Sequence, residues 1–320
     1  MSTHGGTRAI VAALLANLGI AATKFIAWGF SGAVSMLAEG VHSLADSGNQ
    51  ILLLVGGKRA QRAATPAHPF GYGRERYFYA FIVSIILFTI GGVFSIYEGL
   101  NKLQHPHAIE VWWLPMLVLS VSIVLESFSL RTAVKESTPL RGKASWIQFV
   151  RHAKAPELPV VLLEDLAALL GLVFAFVGIG LTVITGDGVF DAVGTLLIGA
   201  LLIVVAVILG IETKSLLLGE GARPEDSATI VEVIESSPEV TSLIHIKSLY
   251  LGPDELLVAA KVGFVAGSKL ADVARAIDDI EARIRAAVPV ARVIYIEPDV
   301  VRQTHPAAPS TESIVVRGLD

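Results

Sequence analysis

The sequence predicts a membrane domain of six α-helical spans followed by a small α+β domain. Hydrophobic residues make up 53% of the 320 residues and charged residues only 17%, and the mean hydropathy is +0.65; both values depart from those of a water-soluble protein. Six apolar stretches come near the ~20 residues that a helix needs to cross a bilayer. Near Gly219-Glu220-Gly221 the composition changes to that of a soluble domain.

Each of the six apolar stretches is predicted to be a membrane-spanning helix, and together they form a six-helix transmembrane domain of residues 1–218. The stretches are Ala9–Phe30, Val34–Gly57, Tyr77–Leu100, Trp112–Val134, Leu158–Ile184 and Phe190–Leu209. The second is the least apolar, and polar groups at membrane depth persist mainly where they face a cavity or one another. The first lacks a cleavage site of small residues, so we expect a retained helix rather than a signal peptide.

Basic residues are concentrated in two of the loops between the predicted spans. The loop after the second span and the loop after the fourth contain Lys58, Arg59, Arg62, Arg74, Arg76, Lys135, Arg141, Lys143, Arg151 and Lys154. Because basic loops stay on the cytoplasmic side, both ends of the chain are expected to be cytoplasmic. We therefore expect a multi-pass protein of the cell (inner) membrane.

Residues 219–304 are predicted to form the α+β domain, with elements in the order αββαβ. The predicted elements are the helix Pro224–Ser236, the strands Thr241–Leu251 and Glu255–Phe264, the helix Lys269–Ala287 and the strand Arg292–Ile296. Gly252-Pro253-Asp254 is typical of a turn between strands. The tail after Glu297-Pro298 is rich in Pro, Ala and Ser, and residues 305–320 are expected to be disordered.

Composition also limits the chemistry that the chain can perform. The chain contains no cysteine, so any metal site must be built from His, Asp and Glu. A net charge of −4 without a dense basic stripe gives no support for nucleic-acid binding. No prosthetic group is expected.

The polar side of the second span is the strongest candidate for a functional site. Glu39, His42 and Asp46 are spaced i, i+3 and i+7, so they project from one face of a helix, and Asn49 and Gln50 extend the same face. An imidazole and a carboxylate one turn apart are ligands that Zn²⁺ prefers. The alternative is a buried His–Asp hydrogen bond that only joins helices, but the cost of burying ionisable groups in lipid favours a function.

Three further acidic residues lie inside predicted spans. Glu164 and Asp165 begin the fifth span, and because adjacent residues lie about 100° apart on a helix, we expect one of them to face a site shared with the second span. The alternative is a pair at the membrane interface. Glu126, in the fourth span, is expected either to support the metal ligands or to hydrogen-bond between helices. His68, in a cytoplasmic loop, is a possible metal ligand, although a lone loop histidine is more often structural.

At these residues the sequence resembles the cation diffusion facilitator family. The motifs that carry the resemblance are His42-x-x-x-Asp46, the run His68-Pro69-Phe70-Gly71-Tyr72-Gly73-Arg74, Tyr97-Glu98-Gly99, Asp165 and Ile296-Glu297-Pro298. The resemblance extends from about Ala9 to Asp299. Residues 38–46 and 162–165 are similar to the branch that contains the ninth human zinc transporter.

The resemblance implies six spans, a ferredoxin-like cytoplasmic domain and the movement of a divalent metal, most often Zn²⁺, out of the cytoplasm in exchange for protons. It implies that His42, Asp46 and Asp165 bind the metal. The commoner family pattern has a His or Asp four residues before Asp165, where this chain has Val161. Glu164 is the first candidate for the missing ligand, Glu39 the second and a water molecule the third.

The C-terminal domain is expected to hold a homodimer rather than to bind metal. Members of the family that bind zinc there use histidines on the strands, whereas this chain has His245 alone. The residues leave open whether the ion is Zn²⁺, Mn²⁺, Fe²⁺ or Co²⁺. A membrane-embedded metalloenzyme, a channel and a scaffolding protein are the alternatives from other classes.

Overall fold

Long helices form the N-terminal part of the chain, and a three-stranded sheet with two helices forms the C-terminal part. The structure, a computed structural model, describes residues 4–31, 34–105 and 112–300, and the side chains of Glu39 and His42 lie outside the described set. The first helices are α1 (His4–Ser31), α2 (Val34–Ala60), α3 (Glu75–Ile86), α4 (Phe94–Gln104), α5 (Trp113–Arg141), α6 (Trp146–His152), α7 (Glu157–Thr185) and α8 (Val189–Leu218). The later elements are α9 (Pro224–Glu235), β1 (Val240–Gly252), β2 (Glu255–Phe264), α10 (Leu270–Ala287) and β3 (Ala291–Val300).

Five helical segments in the described part of the chain are long and apolar enough to cross a membrane. They are Gly6–Phe30, Glu75–Gln104, Trp113–Arg141, Glu157–Thr185 and Val189–Leu218, and they correspond to five of the six predicted spans. α2, at 27 residues, has the length to cross as well, since a helix rises about 1.5 Å per residue. Its buried Asn49 and Gln50 make it less apolar than the others.

The third predicted span is not a regular α-helix, a feature that the sequence did not predict. α3 continues through a π-helical segment, Leu87–Val93, into α4. This segment packs closely on α8: a Cβ atom at Gly92 would lie 2.6 Å from Cγ1 of Ile203. Gly199 of α8 packs equally closely on Ile96. Glycines on both helices therefore let the two backbones approach.

The described chain divides into two compact units. The first unit runs to Glu220 and includes Tyr250–Glu255, and the second unit consists of Gly221–Leu249 and the chain from Leu256 onward. We call them the membrane unit and the C-terminal unit. The predicted tail, residues 305–320, lies outside the described residues.

The C-terminal unit is built on a sheet with the strand order β1-β2-β3. The elements follow the predicted order αββαβ, and α10 connects the parallel strands β2 and β3. β3 continues to Val300, four residues beyond its predicted end at Ile296. Pro298 did not end the strand, because β3 is an edge strand and an edge tolerates a missing N–H donor. Ile230, Ile280 and Ile284 are fully buried in the core of this unit.

Candidate metal centre

Four carboxyl groups from three helices lie near one another in the membrane unit. Asp46 belongs to α2, Glu126 to α5, and Glu164 and Asp165 to α7. Glu126 and Asp165 are each only 1% exposed and Glu164 is 6% exposed, whereas Asp46 is half-buried. Asp165, Glu164 and Asp46 exert the strongest like-charge interactions on Glu126, and Lys24 of α1 opposes them. Glu126 therefore lies within electrostatic range of the other three carboxyl groups.

Glu164 is directed toward α2. Its Oε1 atom accepts a hydrogen bond of 2.9 Å from Nδ2 of Asn49, and its Oε2 atom accepts one of 3.0 Å from Nε2 of Gln50. Gln50 in turn accepts a hydrogen bond of 3.4 Å from Nδ2 of Asn17 on α1. All four side chains are buried. The carboxylate is thus held between α7 and α2 by two amide donors, inside the bundle rather than at its surface.

Asp165 is directed toward α5. Its Oδ2 atom accepts a hydrogen bond of 2.6 Å from Oγ of Ser129, which lies one helical turn after Glu126. Adjacent residues on a helix point about 100° apart, and this difference sends Glu164 to α2 and Asp165 to α5. The sequence did not predict the hydrogen bond between Ser129 and Asp165.

The predicted ligands on α2 are only partly described. α2 is continuous through positions 39, 42 and 46, so the i, i+3, i+7 spacing keeps Glu39, His42 and Asp46 on one face. The side chains of Glu39 and His42 lie outside the described set. Among the described side chains, no three of His, Asp and Glu are close enough to hold a metal ion together. The ligand set of His42, Asp46, Asp165 and Glu164 stays a prediction.

Position 161, where the commoner family pattern has a metal ligand, is part of the apolar core. Val161 is fully buried, one turn before Asp165, and belongs to the same hydrophobic cluster as Leu53 of α2 and Val160. The side chain at this position therefore lies inside the bundle and not against lipid. A larger polar side chain here would be placed within the bundle interior.

The charges of the centre decide what it can bind. Lys24 donates a hydrogen bond of 2.8 Å to Oγ of Ser43 on α2 and contributes one positive charge against the four carboxyl groups. Buried charges of one sign are costly unless they are compensated, and the compensation can come from a bound cation or from protons on the carboxyl groups. Because both neutralise the same oxygens, they compete. Either a cation or protons can therefore compensate the charge of these carboxyl groups.

His68 lies in the loop between α2 and α3 and is exposed. Its ring lies 4.5 Å from the ring of Tyr72, and its backbone N–H donates to the side chain of Thr65. Arg62 stacks on the same Tyr72 ring at 5.0 Å. These contacts stabilise the loop, and a metal role for His68 stays a prediction.

Comparison with known proteins relates the membrane unit to cation transporters. Residues 10–218 match the family model described as the cation efflux transmembrane domain. The chain is 35% identical over 244 residues to the mitochondrial proton-coupled zinc antiporter SLC30A9 of Mus musculus, a match that covers 75% of this chain and 43% of that protein.

Two more distant relatives come from a plant and a bacterium. The chain is 29% identical to metal tolerance protein C4 of Arabidopsis thaliana, over 80% of this chain and 57% of that protein. It is 26% identical to the cation-efflux pump FieF of Pectobacterium atrosepticum, over 90% of this chain and 91% of that protein. The chain thus spans less than half of the length of the antiporter that it matches, but nearly all of the bacterial pump.

Proposed function

The chain belongs to the cation diffusion facilitator family, and from that membership we propose that it moves a divalent metal ion, preferentially Zn²⁺, out of the cytoplasm by exchange for protons. The family match over residues 10–218 confirms the resemblance predicted from the motifs His42-x-x-x-Asp46 and His68–Arg74. The family is one of transporters, so the membrane-embedded metalloenzyme is excluded. Five apolar spans make the chain a multi-pass membrane protein.

The observation that carries the proposal is the group of three buried carboxyl groups and the half-buried Asp46, opposed among the described residues by Lys24. In the proposed cycle His42 in its neutral form, with Asp46 and Asp165 ionised, binds the metal from the cytoplasmic side. Glu164 supplies the fourth ligand in place of the His or Asp that the commoner family pattern has at the position of Val161. After the bundle opens to the other side, protons displace the metal from the same nitrogen and oxygens.

Two relatives support the preference for Zn²⁺. The similar proteins of Mus musculus and Homo sapiens are each named a proton-coupled zinc antiporter. One imidazole with three carboxylates is nevertheless a harder, more oxygen-rich set than a nitrogen-rich zinc site. We therefore propose that the centre discriminates less against Mn²⁺, Fe²⁺ and Co²⁺ than a site with two histidines does.

The proposal includes the arrangement of the whole protein. α2 is counted as the sixth span, because its 27 residues suffice to cross a bilayer and its polar face meets Glu164 inside the bundle. In this proposal the protein lies in the cell (inner) membrane, and both chain ends are on its cytoplasmic side. The C-terminal unit is taken as a ferredoxin-like domain that holds a homodimer, so truncation after Leu218 is expected to weaken the dimer. Cross-linking of full-length and truncated protein in the membrane measures this effect, and equal dimer fractions would contradict it.

The experiment that tests the function is transport in reconstituted liposomes. A metal-sensitive dye and a pH-sensitive dye inside the vesicles record both ions while Zn²⁺, Mn²⁺, Fe²⁺ and Co²⁺ are offered in turn. We expect saturable metal entry with proton flow in the opposite direction, fastest for Zn²⁺. Metal entry without proton flow would contradict antiport, and a current that rises linearly with voltage would identify a channel.

A further inference from the structure

A short helix, α6, connects α5 and α7, and its start is fixed by two local hydrogen bonds. The side chain of Ser145 accepts a hydrogen bond of 3.2 Å from the backbone N–H of Gln148, and the side chain of Gln148 accepts one of 3.0 Å from the backbone N–H of Ser145. This reciprocal pair is a capping box. Phe149 is buried in the hydrophobic core of the membrane unit, and its ring packs edge-on against that of Trp146. One side of α6 is therefore held against the helix bundle.

α6 lies at the level where two membrane-spanning helices have their ends. Val150 and Ala153 line the same small crevice as Pro159 and Leu216. Pro159 is the third residue of α7, and Leu216 is the third residue from the end of α8. At about 1.5 Å per residue, these helices of 29 and 30 residues are longer than the ~30 Å of a hydrocarbon core. Their ends, and α6 beside them, therefore reach the layer of the lipid headgroups.

Apolar side chains lie exposed at the turn from α5 into α6. Ile147 is 73% exposed, Trp146 38% and Leu140, at the end of α5, 48%. We call the segment Leu140–His152 the α6 corner. Tryptophan is enriched at membrane interfaces, because its ring is apolar and its N–H group is polar. The α6 corner thus exposes an apolar surface at the boundary of the hydrocarbon.

The α6 corner is also basic. Residues 137–156 contain Arg141, Lys143, Arg151 and Lys154 and no acidic residue. Lys154 is paired within the protein, with Glu220. In the described chain Arg141 and Lys143 form no ion pair with a carboxylate. Arg151 is 68% exposed and meets a carboxylate only at 3.8 Å. The protein itself therefore leaves most of the positive charge of the corner uncompensated.

Arg141 is oriented by two contacts that do not neutralise its charge. Its Nη1 atom donates a hydrogen bond of 2.7 Å to the backbone carbonyl of Ala144, and its guanidinium carbon lies 4.5 Å from the centre of the Trp146 ring. A guanidinium stacked on an aromatic ring keeps donors in its plane for an oxyanion such as phosphate. Trp146 thus supports the cation and forms part of the apolar surface beside it.

Apolar side chains next to uncompensated cations, at the level of the headgroups, are typical of an interfacial element that binds anionic lipids. We propose that the α6 corner binds acidic phospholipids, with its apolar side chains at the hydrocarbon boundary and its basic side chains on the lipid phosphates. A zwitterionic lipid has no net charge and would leave the cations of the corner uncompensated. This binding does not depend on which ion the protein carries.

The tryptophans of the chain provide a direct test. Trp28, Trp112, Trp113 and Trp146 are the four that it contains, so replacing the first three by Phe leaves Trp146 alone. A second protein keeps Trp113 alone, which lies at the opposite end of α5 and is 56% exposed. Both proteins are reconstituted into vesicles of phosphatidylcholine and phosphatidylglycerol in equal amounts. Either the neutral or the acidic lipid carries bromine on its acyl chains, and bromine quenches tryptophan fluorescence on contact.

We expect brominated phosphatidylglycerol to quench Trp146 at least about threefold more strongly than brominated phosphatidylcholine, because each basic side chain near the surface favours an acidic lipid by roughly fivefold. Trp113 should be quenched equally by the two lipids. Equal quenching of Trp146 by both lipids, the same preference at Trp113, or no quenching of Trp146 by either lipid would overturn the proposal. Loss of the preference in millimolar inorganic phosphate would identify a site for a soluble anion instead, and would also overturn it.

Charge variants test which side chains select the lipid. Arg141→Gln combined with Lys143→Gln should remove most of the preference at Trp146. Lys247→Gln combined with Lys269→Gln removes two exposed lysines of the C-terminal unit and should keep it. A preference that survives the first pair would contradict the role of the corner. If the tryptophan variants do not fold, native mass spectrometry counts the phosphatidylglycerol bound to the original protein and to the first pair, and equal counts would overturn the proposal.

Discussion

The core of the C-terminal unit consists of branched aliphatic side chains such as Ile230, Ile280 and Ile284, whereas the membrane unit buries Asn49, Gln50 and Glu164 against one another. Among the described residues of the C-terminal unit, Ser237 is the one buried polar side chain. The described interior of the C-terminal unit is thus almost entirely apolar, whereas the membrane unit buries polar and acidic side chains beside its apolar core.

This difference separates the residues that maintain the fold from those that perform chemistry. Burial of apolar area stabilises a domain in water, so the core of the C-terminal unit needs no further explanation. In lipid the surroundings are already apolar, and buried acids destabilise the bundle unless they are compensated. We therefore attribute the four acids of the proposed metal centre to function, and expect substitutions in the two cores to have different consequences.

Among the described side chains, the largest effect is expected from Asp165→Asn. Replacing a residue that merely supports a metal ligand costs about 10–100-fold, so loss of a ligand carboxylate should lower zinc transport by on the order of 100-fold or more. The variant keeps the shape of the side chain, and the protein should remain folded. Zinc uptake by liposomes measures the effect.

Asp191→Asn is the matched control for this substitution. Asp191, at the start of α8, forms an ion pair of 3.0 Å with Lys102 and lies apart from the four carboxyl groups of the centre. Its substitution should leave uptake near that of the original protein. Equal losses of zinc uptake in the two variants would contradict the assignment of Asp165, because the loss would not depend on a carboxylate of the metal centre.

A core substitution in the C-terminal unit should change stability without changing transport. Ile284 is fully buried, and Ile284→Ala removes core atoms at an expected cost of about 2–5 kcal/mol. Leu270→Ala, at a side chain that is 83% exposed, should cost less than about 0.5 kcal/mol. Hydrogen exchange of α10 in the full-length protein measures both. A loss of zinc transport by Ile284→Ala at a temperature where α10 stays protected would contradict the separation of roles.

A smaller effect, about tenfold, is expected from substitutions at Val161 and at the proposed fourth ligand, Glu164. Val161→His places an imidazole one turn before Asp165, inside the bundle, and should sharpen selection of Zn²⁺ over Mn²⁺. Glu164→Gln should weaken transport of both metals. Competition between the two metals during uptake gives the ratio.

Val161→Ala controls for the change of volume at position 161 and should keep the original preference. If Val161→His behaves like Val161→Ala, position 161 does not face the ion. If Glu164→Gln transports normally, the hydrogen bonds from Asn49 and Gln50 mark Glu164 as a structural residue, and Glu39 or water completes the site.

The smallest effect is expected on the surface of the C-terminal unit. Lys261 of β2 forms salt bridges of 2.9 Å and 3.2 Å with Glu297 and Asp299 of β3, and hydrogen bonds to these two carboxylates raise the pKa of Lys261. Because the pKa is higher in the folded protein, the stabilisation is complete below the unfolded value of about 10.4 and is lost as the pH rises through the folded value. Lys261→Met should therefore slightly lower the protection of β3 from hydrogen exchange near pH 7.

Measuring the protection of β3 at several pH values distinguishes an effect of the charge of Lys261 from an effect of its packing. The difference between Lys261→Met and the original protein should disappear at a pH above the folded pKa of the lysine. A difference that persists unchanged at that pH would show that the aliphatic part of Lys261, and not its charge, stabilises the strand pair.

The sequence alone was sufficient for features that depend on local pattern. The periodicity of apolar residues predicted the helices and the αββαβ order. The rarity of acids in lipid marked Glu126, Glu164 and Asp165 as candidate site residues. Contacts between distant segments were not accessible in this way. The bond from Ser129 to Asp165 and the bonds from Asn49 and Gln50 to Glu164 depend on how α2, α5 and α7 are rotated, which no single helix encodes.

The π-helical segment Leu87–Val93 was missed for a related reason. The pair Gly91-Gly92 has a low helical propensity, but this does not specify π-helical geometry, and the segment packs closely through Gly92 on Ile203, a contact between segments more than 100 residues apart in the sequence. β3 was predicted to end at Ile296, two residues before Pro298, but it continues to Val300 because an edge strand tolerates a proline.

Two histidine substitutions, one in each unit, test the central claim most directly. His42→Ala removes the proposed imidazole ligand from α2, and His245→Ala makes the same chemical change on the exposed part of β1. Zinc-dependent proton flux in liposomes is measured for both variants beside the original protein. The account predicts that His42→Ala falls to the level of protein-free liposomes while His245→Ala keeps the original flux. Full flux in His42→Ala, or loss of flux in His245→Ala, would contradict it.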